Sequence, residues 1–110
     1  MLTYKLRSFI DINKINWDWL SCNPNAIDLL KANPDKINWI YLSKNPAAID
    51  LLKVNLDKVH WYELSSNPEA MELLITNLDK ICWNNLSSNP NAINFIEQYL
   101  NDPIVCKKLD

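Results

Sequence analysis

The chain has 110 residues, a formal net charge of −2 and 48% hydrophobic residues, a composition that fits one folded domain and excludes a disordered tail. No apolar run approaches the ~18 residues of a membrane-spanning helix, and the first residues lack the apolar core of a signal peptide. The mild acidic balance argues against a nucleic-acid partner, which requires clustered Lys and Arg, and the absence of glycine excludes Gly-rich phosphate loops. We therefore expect a protein that binds neither membranes nor nucleic acids.

A repeat of 22 residues dominates the sequence. A leucine, a serine, a lysine, an alanine and an Asn-Pro pair all recur at this interval, as do Trp17, Trp39, Trp61 and Trp83. Fixed periods of this length are typical of stacked arrays. The period divides the chain into an N-terminal cap, four repeats and a C-terminal cap, which are 1–12, about 13–34, 35–56, 57–78, 79–100 and 101–110.

Each repeat predicts two short helices, as the second unit illustrates. The first helix runs from about Asp35 to Ser43. The second begins at Asn45, which we predict to be the N-cap residue, with Pro46 at the first helical position. Asn55 is the predicted stop, because asparagine tolerates the left-handed conformation that glycine usually adopts at a helix end.

Neither helix is long enough to be stable alone in water. Stability must come from packing the apolar positions of one unit against those of its neighbours, which in the second unit are Trp39, Leu42, Ile49 and Leu52. The sequence therefore predicts an all-α fold, an α-solenoid of four helical hairpins of 22 residues with N- and C-terminal capping segments. No linker interrupts the array, so residues 1–110 form a single domain.

The repeated pattern Lys-Ile-Asn-Trp-x-x-Leu-Ser-x-Asn-Pro-x-Ala-Ile-x-Leu-Leu resembles a short tandem repeat of many uncharacterised proteins of giant DNA viruses. The resemblance covers nearly the whole chain, including the opening Tyr4-Lys5-Leu6-Arg7. It implies a viral repeat protein in the cytoplasm of an infected host cell. The family has no established enzymatic activity or catalytic residues, so it implies none here.

The residues that could carry catalysis or metal binding lack partners in the sequence. His60 is the single histidine, and we interpret it as a partly buried polar residue hydrogen-bonded to the next repeat. The alternative, a general base, would need a paired nucleophile or an orienting carboxylate. The cysteines Cys22, Cys82 and Cys106 are odd in number and have no CxxC spacing, so we expect reduced thiols. We predict no enzyme, no metal and no cofactor.

The residues that share one position of the 22-residue repeat are called a column below. A serine column and a lysine column both have structural interpretations. Ser21, Ser43, Ser65 and Ser87 precede the Asn-Pro pairs, where a hydroxyl satisfies backbone groups of the loop. Lys14, Lys36, Lys58 and Lys80 could attract an anionic partner. Three of these lysines follow an aspartate, so we expect solvated side chains or ion pairs between repeats instead.

The outward columns of the first helices hold the candidate contact residues. One column reads Asp18, Ile40, Tyr62 and Asn84, and the next reads Trp19, Tyr41, Glu63 and Asn85. Both vary freely between units, so packing of the scaffold does not dictate them. We predict a partner-binding face of Trp19, Ile40, Tyr41 and Tyr62. The alternative is that these side chains fold over neighbouring helices and extend the core.

These observations favour a non-enzymatic protein-protein interaction module that binds a host or viral protein. The alternative is a structural protein that self-associates, either as a homodimer or by end-to-end stacking.

Overall fold

In the computed structural model of the protein, residues 14–101 are described, and they form eight α-helices and no β-strand. The helices are α1 Trp17–Ser21, α2 Ile27–Ala32, α3 Trp39–Ser43, α4 Ile49–Lys53, α5 Trp61–Ser65, α6 Met71–Ile75, α7 Trp83–Leu86 and α8 Ile93–Asn101. The predicted all-α fold is confirmed. The predicted caps lie outside the described residues, except that Asn101 ends α8.

The first helix of the second unit is shorter than predicted, because the segment before it is a separate 3₁₀ helix. In the second unit this 3₁₀ helix spans Pro34–Lys36, and α3 begins only at Trp39. The intervening Ile37 and Asn38 are extended. This extended step buries Ile37 and lets the backbone N–H of Asn38 donate to Ser21 Oγ of the preceding unit at 2.9 Å. Equivalent 3₁₀ helices lie at Leu56–Lys58 and Leu78–Lys80.

The prediction that Asn45 is the N-cap of the second helix is wrong. Helix α4 begins three residues later, with Ala48 at the N-cap position. Asn45 instead opens a turn, in which its side-chain Oδ1 accepts from the N–H of Ala47 at 3.0 Å and its carbonyl accepts from the N–H of Ala48 at 3.1 Å. Pro46 therefore lies in this turn and outside the helix.

The end of the second helix also differs from the prediction. Asn55 has a φ of −136°, and no described residue has a positive φ. The helix ends because Asn55 Nδ2 donates to the carbonyl of Leu51 at 2.8 Å, while its backbone N–H donates to the carbonyl of Leu52 at 3.0 Å. The side-chain amide thus satisfies a carbonyl that the helix leaves free, without a left-handed residue.

The core follows the repeat. The leucines at its centre are completely buried, and they are Leu30, Leu42, Leu52, Leu64, Leu74 and Leu86. Buried alanines complete each unit: Ala26, Ala48, Ala70 and Ala92. The repeated tryptophans pack against this core but remain partly exposed, so the prediction that they are core residues holds in part.

Buried hydrogen bonds join each unit to the one before it. The side-chain Nδ2 of Asn45 donates to the carbonyls of Ser21 at 3.1 Å and Asn23 at 3.0 Å. The same pair of bonds recurs at Asn67 and at Asn89. We call Asn45, Asn67 and Asn89 the asparagine ladder; all of them are at most 1% exposed.

The serine column makes a second set of bonds between units. The hydroxyl of Ser43 donates to the carbonyl of Trp39 at 2.8 Å and accepts from the N–H of His60 at 2.9 Å. Ser21 and Ser65 make the same bonds. The serines satisfy backbone groups, as predicted, but not those of the loop. Each hydroxyl donates to a carbonyl of its own helix, and those of Ser21, Ser43 and Ser65 accept from an amide of the next unit.

Successive first helices contact one another, α1 with α3, α3 with α5 and α5 with α7. The molecule measures 60 × 22 × 19 Å along its principal axes. This arrangement places the outward side chains of the first helices next to each other.

Candidate interaction face

The candidate contact residues lie on α1, α3 and α5, and all of them are exposed. Their exposed fractions are 72% for Trp19, 45% for Ile40, 36% for Tyr41 and 54% for Tyr62. We call these four residues the aromatic face. The helices that carry them are in contact, so the face crosses three successive units. Trp19 is the most exposed of the four and Tyr41 the most covered.

The positions that continue the aromatic face in later units hold polar residues. Glu63 follows Trp19 and Tyr41 in one column and is partly buried, while Asn84 follows Ile40 and Tyr62 in the other and is exposed. The fold therefore accommodates both aromatic and polar side chains at these positions. Their exposed apolar area contributes little to packing of the core.

Polar side chains next to the aromatic face form contacts with its helices. Asn38 is the N-cap of α3, and its Nδ2 donates to Asp18 Oδ1 on α1 at 2.8 Å. On the other side, the Lys44 ammonium lies 5.2 Å from the centre of the Tyr41 ring and 3.7 Å from a carboxylate oxygen of Glu63. The Asn38–Asp18 hydrogen bond and the Lys44–Glu63 ion pair cross from one unit to the next and connect neighbouring first helices. The contact between Lys44 and Tyr41 lies within one unit.

Lys44 is a residue of this site that the sequence analysis missed. It lies three positions after Tyr41, a spacing that brings side chains together at a helix end. Glu63 lies opposite it in the column of Tyr41. That combination of spacing and charge was the available signal.

His60 differs from the interpretation made from the sequence. Its backbone N–H bonds to Ser43 of the preceding unit, and it occupies the N-cap position of α5 without capping it. Its Nδ1 atom is buried and has no hydrogen-bond partner within the described part of the chain. The expected bond to the next repeat is therefore not made by the imidazole. Asn38, at the equivalent position, accepts from the N–H groups of Ile40 and Tyr41.

The other candidate chemistry is dispersed along the chain. Cys22 and Cys82 are free and partly buried, and the thiol of Cys22 donates to the carbonyl of Trp19 at 3.3 Å. Cys106 lies outside the described residues. Among residues 14–101, no three His, Cys, Asp or Glu side chains come together as a group that could hold a metal ion.

The lysine column makes contacts that were not predicted. The Lys58 ammonium lies 5.2 Å from the centre of the Trp39 ring, and the Lys80 ammonium lies 5.9 Å from that of Trp61. The lysines are exposed, as expected. The two ion pairs formed within residues 14–101 involve Lys44 and Lys53, so of the two expected alternatives the lysine column shows exposed side chains and no ion pair among these residues. Lys58 and Lys80 thus each lie over the tryptophan ring of the preceding unit, where the ring attracts the cation.

Comparison of the chain with protein-family models, with curated proteins and with solved structures finds no match in any of the three. In the part of the chain that the structure describes, no helix has the length and apolar character needed to cross a membrane.

Proposed function

We propose that the chain is an α-solenoid of four units of 22 residues, closed by capping segments at 1–12 and 101–110, which acts as a non-enzymatic protein-protein interaction module. Its partner contacts the aromatic face. The observation that carries this proposal is the exposure of four large apolar side chains at positions where the same fold also accepts Glu63 and Asn84. Exposed tryptophan and tyrosine are enriched among the residues that dominate binding energy at protein interfaces.

The bonds between units support the solenoid part of the proposal. The asparagine ladder and the serine column repeat the same contacts at each junction between described units. Since each unit contacts its neighbours through these bonds, the array resists bending at the junctions. A rigid array presents its outward columns as an extended surface, which is how solenoids usually bind their partners.

The resemblance to giant-virus repeat proteins supports a viral origin and a place in the cytoplasm of an infected cell. In that setting the partner is a host or viral protein.

Affinity capture tests the proposed face. The test variant carries Ile40→Glu and Tyr62→Glu, and the matched control carries Val54→Glu and Ile75→Glu, which are also exposed apolar residues but lie on or beside the second helices. Proteins captured from infected host cells by each variant are quantified by mass spectrometry against the unmodified chain. We expect the test variant to lose the specific partner and the control to retain it.

Stability is measured in parallel, because unfolding would also abolish capture. Changes at exposed positions seldom alter the free energy of unfolding by more than ~1 kcal/mol. A folded test variant that still captures the partner would overturn the proposed face. So would a test variant that unfolds, since its side chains would then be part of the core.

The alternative, self-association, is separated by light scattering over a range of concentrations. If the chain is a monomer at every concentration, self-association is excluded. A stable dimer that the Ile40→Glu and Tyr62→Glu variant dissociates would assign the aromatic face to a second copy of the chain.

A further inference from the structure

The charges on the first helices all have one sign. Helices α1, α3, α5 and α7 contain Asp18 and Glu63 but no Lys, Arg or His. Cations lie beside these helices but outside them: Lys44 directly follows α3 and is held by Glu63 and the Tyr41 ring. Two more lysines, Lys58 and Lys80, lie over the rings of the repeated tryptophans of α3 and α5. The Asp18 carboxylate makes a hydrogen bond to the uncharged Asn38 amide and no ion pair within the described residues.

Three aromatic rings of the first helices already have a lysine from outside their own helix over them. Lys58 covers Trp39, Lys80 covers Trp61 and Lys44 covers Tyr41. These are attractive contacts between an ammonium group and the negative face of the ring. They show that an ammonium reaches the exposed rings of the first helices.

Two rings of the aromatic face have no such cation. The position that Lys44 occupies relative to Tyr41 holds Cys22 beside Trp19 and Ser65 beside Tyr62. No lysine lies over either ring within residues 14–101. Trp19 and Tyr62 are also the most exposed members of the face.

We infer that the aromatic face binds a segment of the partner protein that carries lysine or arginine, whose cationic groups lie over the rings of Trp19 and Tyr62 and near the carboxylate of Asp18. This inference rests on the proposed function and adds the chemistry of the partner. Ile40, between these rings on the neighbouring helix, provides apolar contact for the stem of the same side chains. An anionic partner, such as a nucleic acid or an acidic membrane surface, would meet the uncompensated carboxylate instead of a counter-charge.

Selection from a displayed library of random peptides tests the inference. Peptides of about 12 residues, extended, reach across α1, α3 and α5. The library is selected against the immobilised full chain and, separately, against a Trp19→Ala, Tyr62→Ala variant. We expect lysine and arginine to be enriched in the peptides that bind the unmodified chain, and this enrichment to be absent with the variant.

A selected peptide then serves as the probe for affinity measurements by calorimetry. We expect its Kd to rise about tenfold in Trp19→Ala, the scale set by one well-placed cation over a tryptophan ring. Asp18→Asn keeps an oxygen that can accept from Asn38 but removes the charge, and it should weaken binding and reduce its salt dependence. Val54→Ala, at an exposed apolar residue that follows α4, should leave the Kd unchanged.

The outcomes separate this inference from the proposed function. Selected peptides without basic residues, lost in the Trp19→Ala, Tyr62→Ala variant, would overturn the inference and support the interaction face. Basic peptides that bind the unmodified chain and the variant equally would reflect only the overall acidic charge and overturn the inference. Peptides whose binding does not depend on the face in any variant would contradict both.

Discussion

Replacing Asn67 with alanine removes hydrogen bonds within its unit and between units at once. Its Nδ2 donates to the carbonyls of Ser43 at 3.0 Å and Asn45 at 3.1 Å, and its Oδ1 accepts from the N–H of Glu69 at 3.0 Å. The residue is 1% exposed, so water cannot replace these bonds in the folded state without rearrangement.

The repeat provides a matched control. Asn23 has the same place in the first unit, but it is exposed and its side chain makes only the bond within its own turn, from the N–H of Asn25, among the described residues. Losing that bond should cost about 1 kcal/mol. The Asn67→Ala change loses the equivalent bond and, in addition, leaves the buried carbonyl of Ser43 without its donor.

The difference between the two variants isolates the contact between units. Two lost bonds and an unsatisfied buried carbonyl correspond to about 2–4 kcal/mol. We therefore expect Asn67→Ala to lower the free energy of unfolding by about 3–5 kcal/mol and Asn23→Ala by about 1 kcal/mol. Urea denaturation followed by tryptophan fluorescence and circular dichroism measures both. Equal losses would refute the claim that the asparagine ladder joins the units.

Other positions give expectations of the same kind. Leu52→Ala or Leu74→Ala should cost ~2–5 kcal/mol and shift a single cooperative melt, because both side chains are completely buried; a melt close to that of the unmodified chain would refute this. His60→Asn should stabilise the chain by about 1 kcal/mol, since an asparagine oxygen can cap α5 where the imidazole nitrogen has no partner; a lower melting temperature would contradict it. Ser43→Ala should cost about 1–2 kcal/mol, and Ser87→Ala less, because Ser87 is exposed and accepts from no described amide; urea titrations compare them, and the reverse order would contradict the assigned bonds.

Burial could be predicted from the sequence, because it depends on where large apolar residues recur. The period alone placed Leu42 and Leu52 in the core, and both are completely buried. The same reasoning placed Trp19 and Ile40 outside, because polar residues occupy their columns in other units, and both are exposed. Burial and exposure follow from which residue types recur at the same position of the repeat, which the sequence shows directly.

The ends of the helices could not be predicted, because they depend on which backbone groups the asparagine side chains form hydrogen bonds with. Asn45 could cap its own helix or form hydrogen bonds with the preceding unit. The sequence around it does not distinguish these two roles. The buried carbonyls of the preceding unit compete for its Nδ2, and the residue satisfies them while its Oδ1 closes a turn. Asn55 likewise ends its helix through a side-chain hydrogen bond. An asparagine at this position is equally compatible with a left-handed backbone, so the residue type alone does not distinguish the two ways of ending a helix.

The contacts of long, flexible side chains could not be predicted from the sequence either. For Lys58 the sequence predicted a solvated side chain or an ion pair between repeats, but not that its ammonium would lie 5.2 Å from the centre of the Trp39 ring. An exposed ion pair contributes little in water, so a partly exposed ring on the preceding unit competes with it. The contact depends on how residues 19 positions apart lie relative to each other in three dimensions, which the sequence does not state.

The central claim is that the units form one elongated array, on which the aromatic face extends from unit to unit. Small-angle X-ray scattering from the full chain, collected directly after size-exclusion chromatography, measures both shape and mass. We expect a monomer of 12.8 kDa with a radius of gyration close to the 17.0 Å of the structure. A compact chain of this length would have a radius of gyration of about 13 Å, and that value would contradict the array.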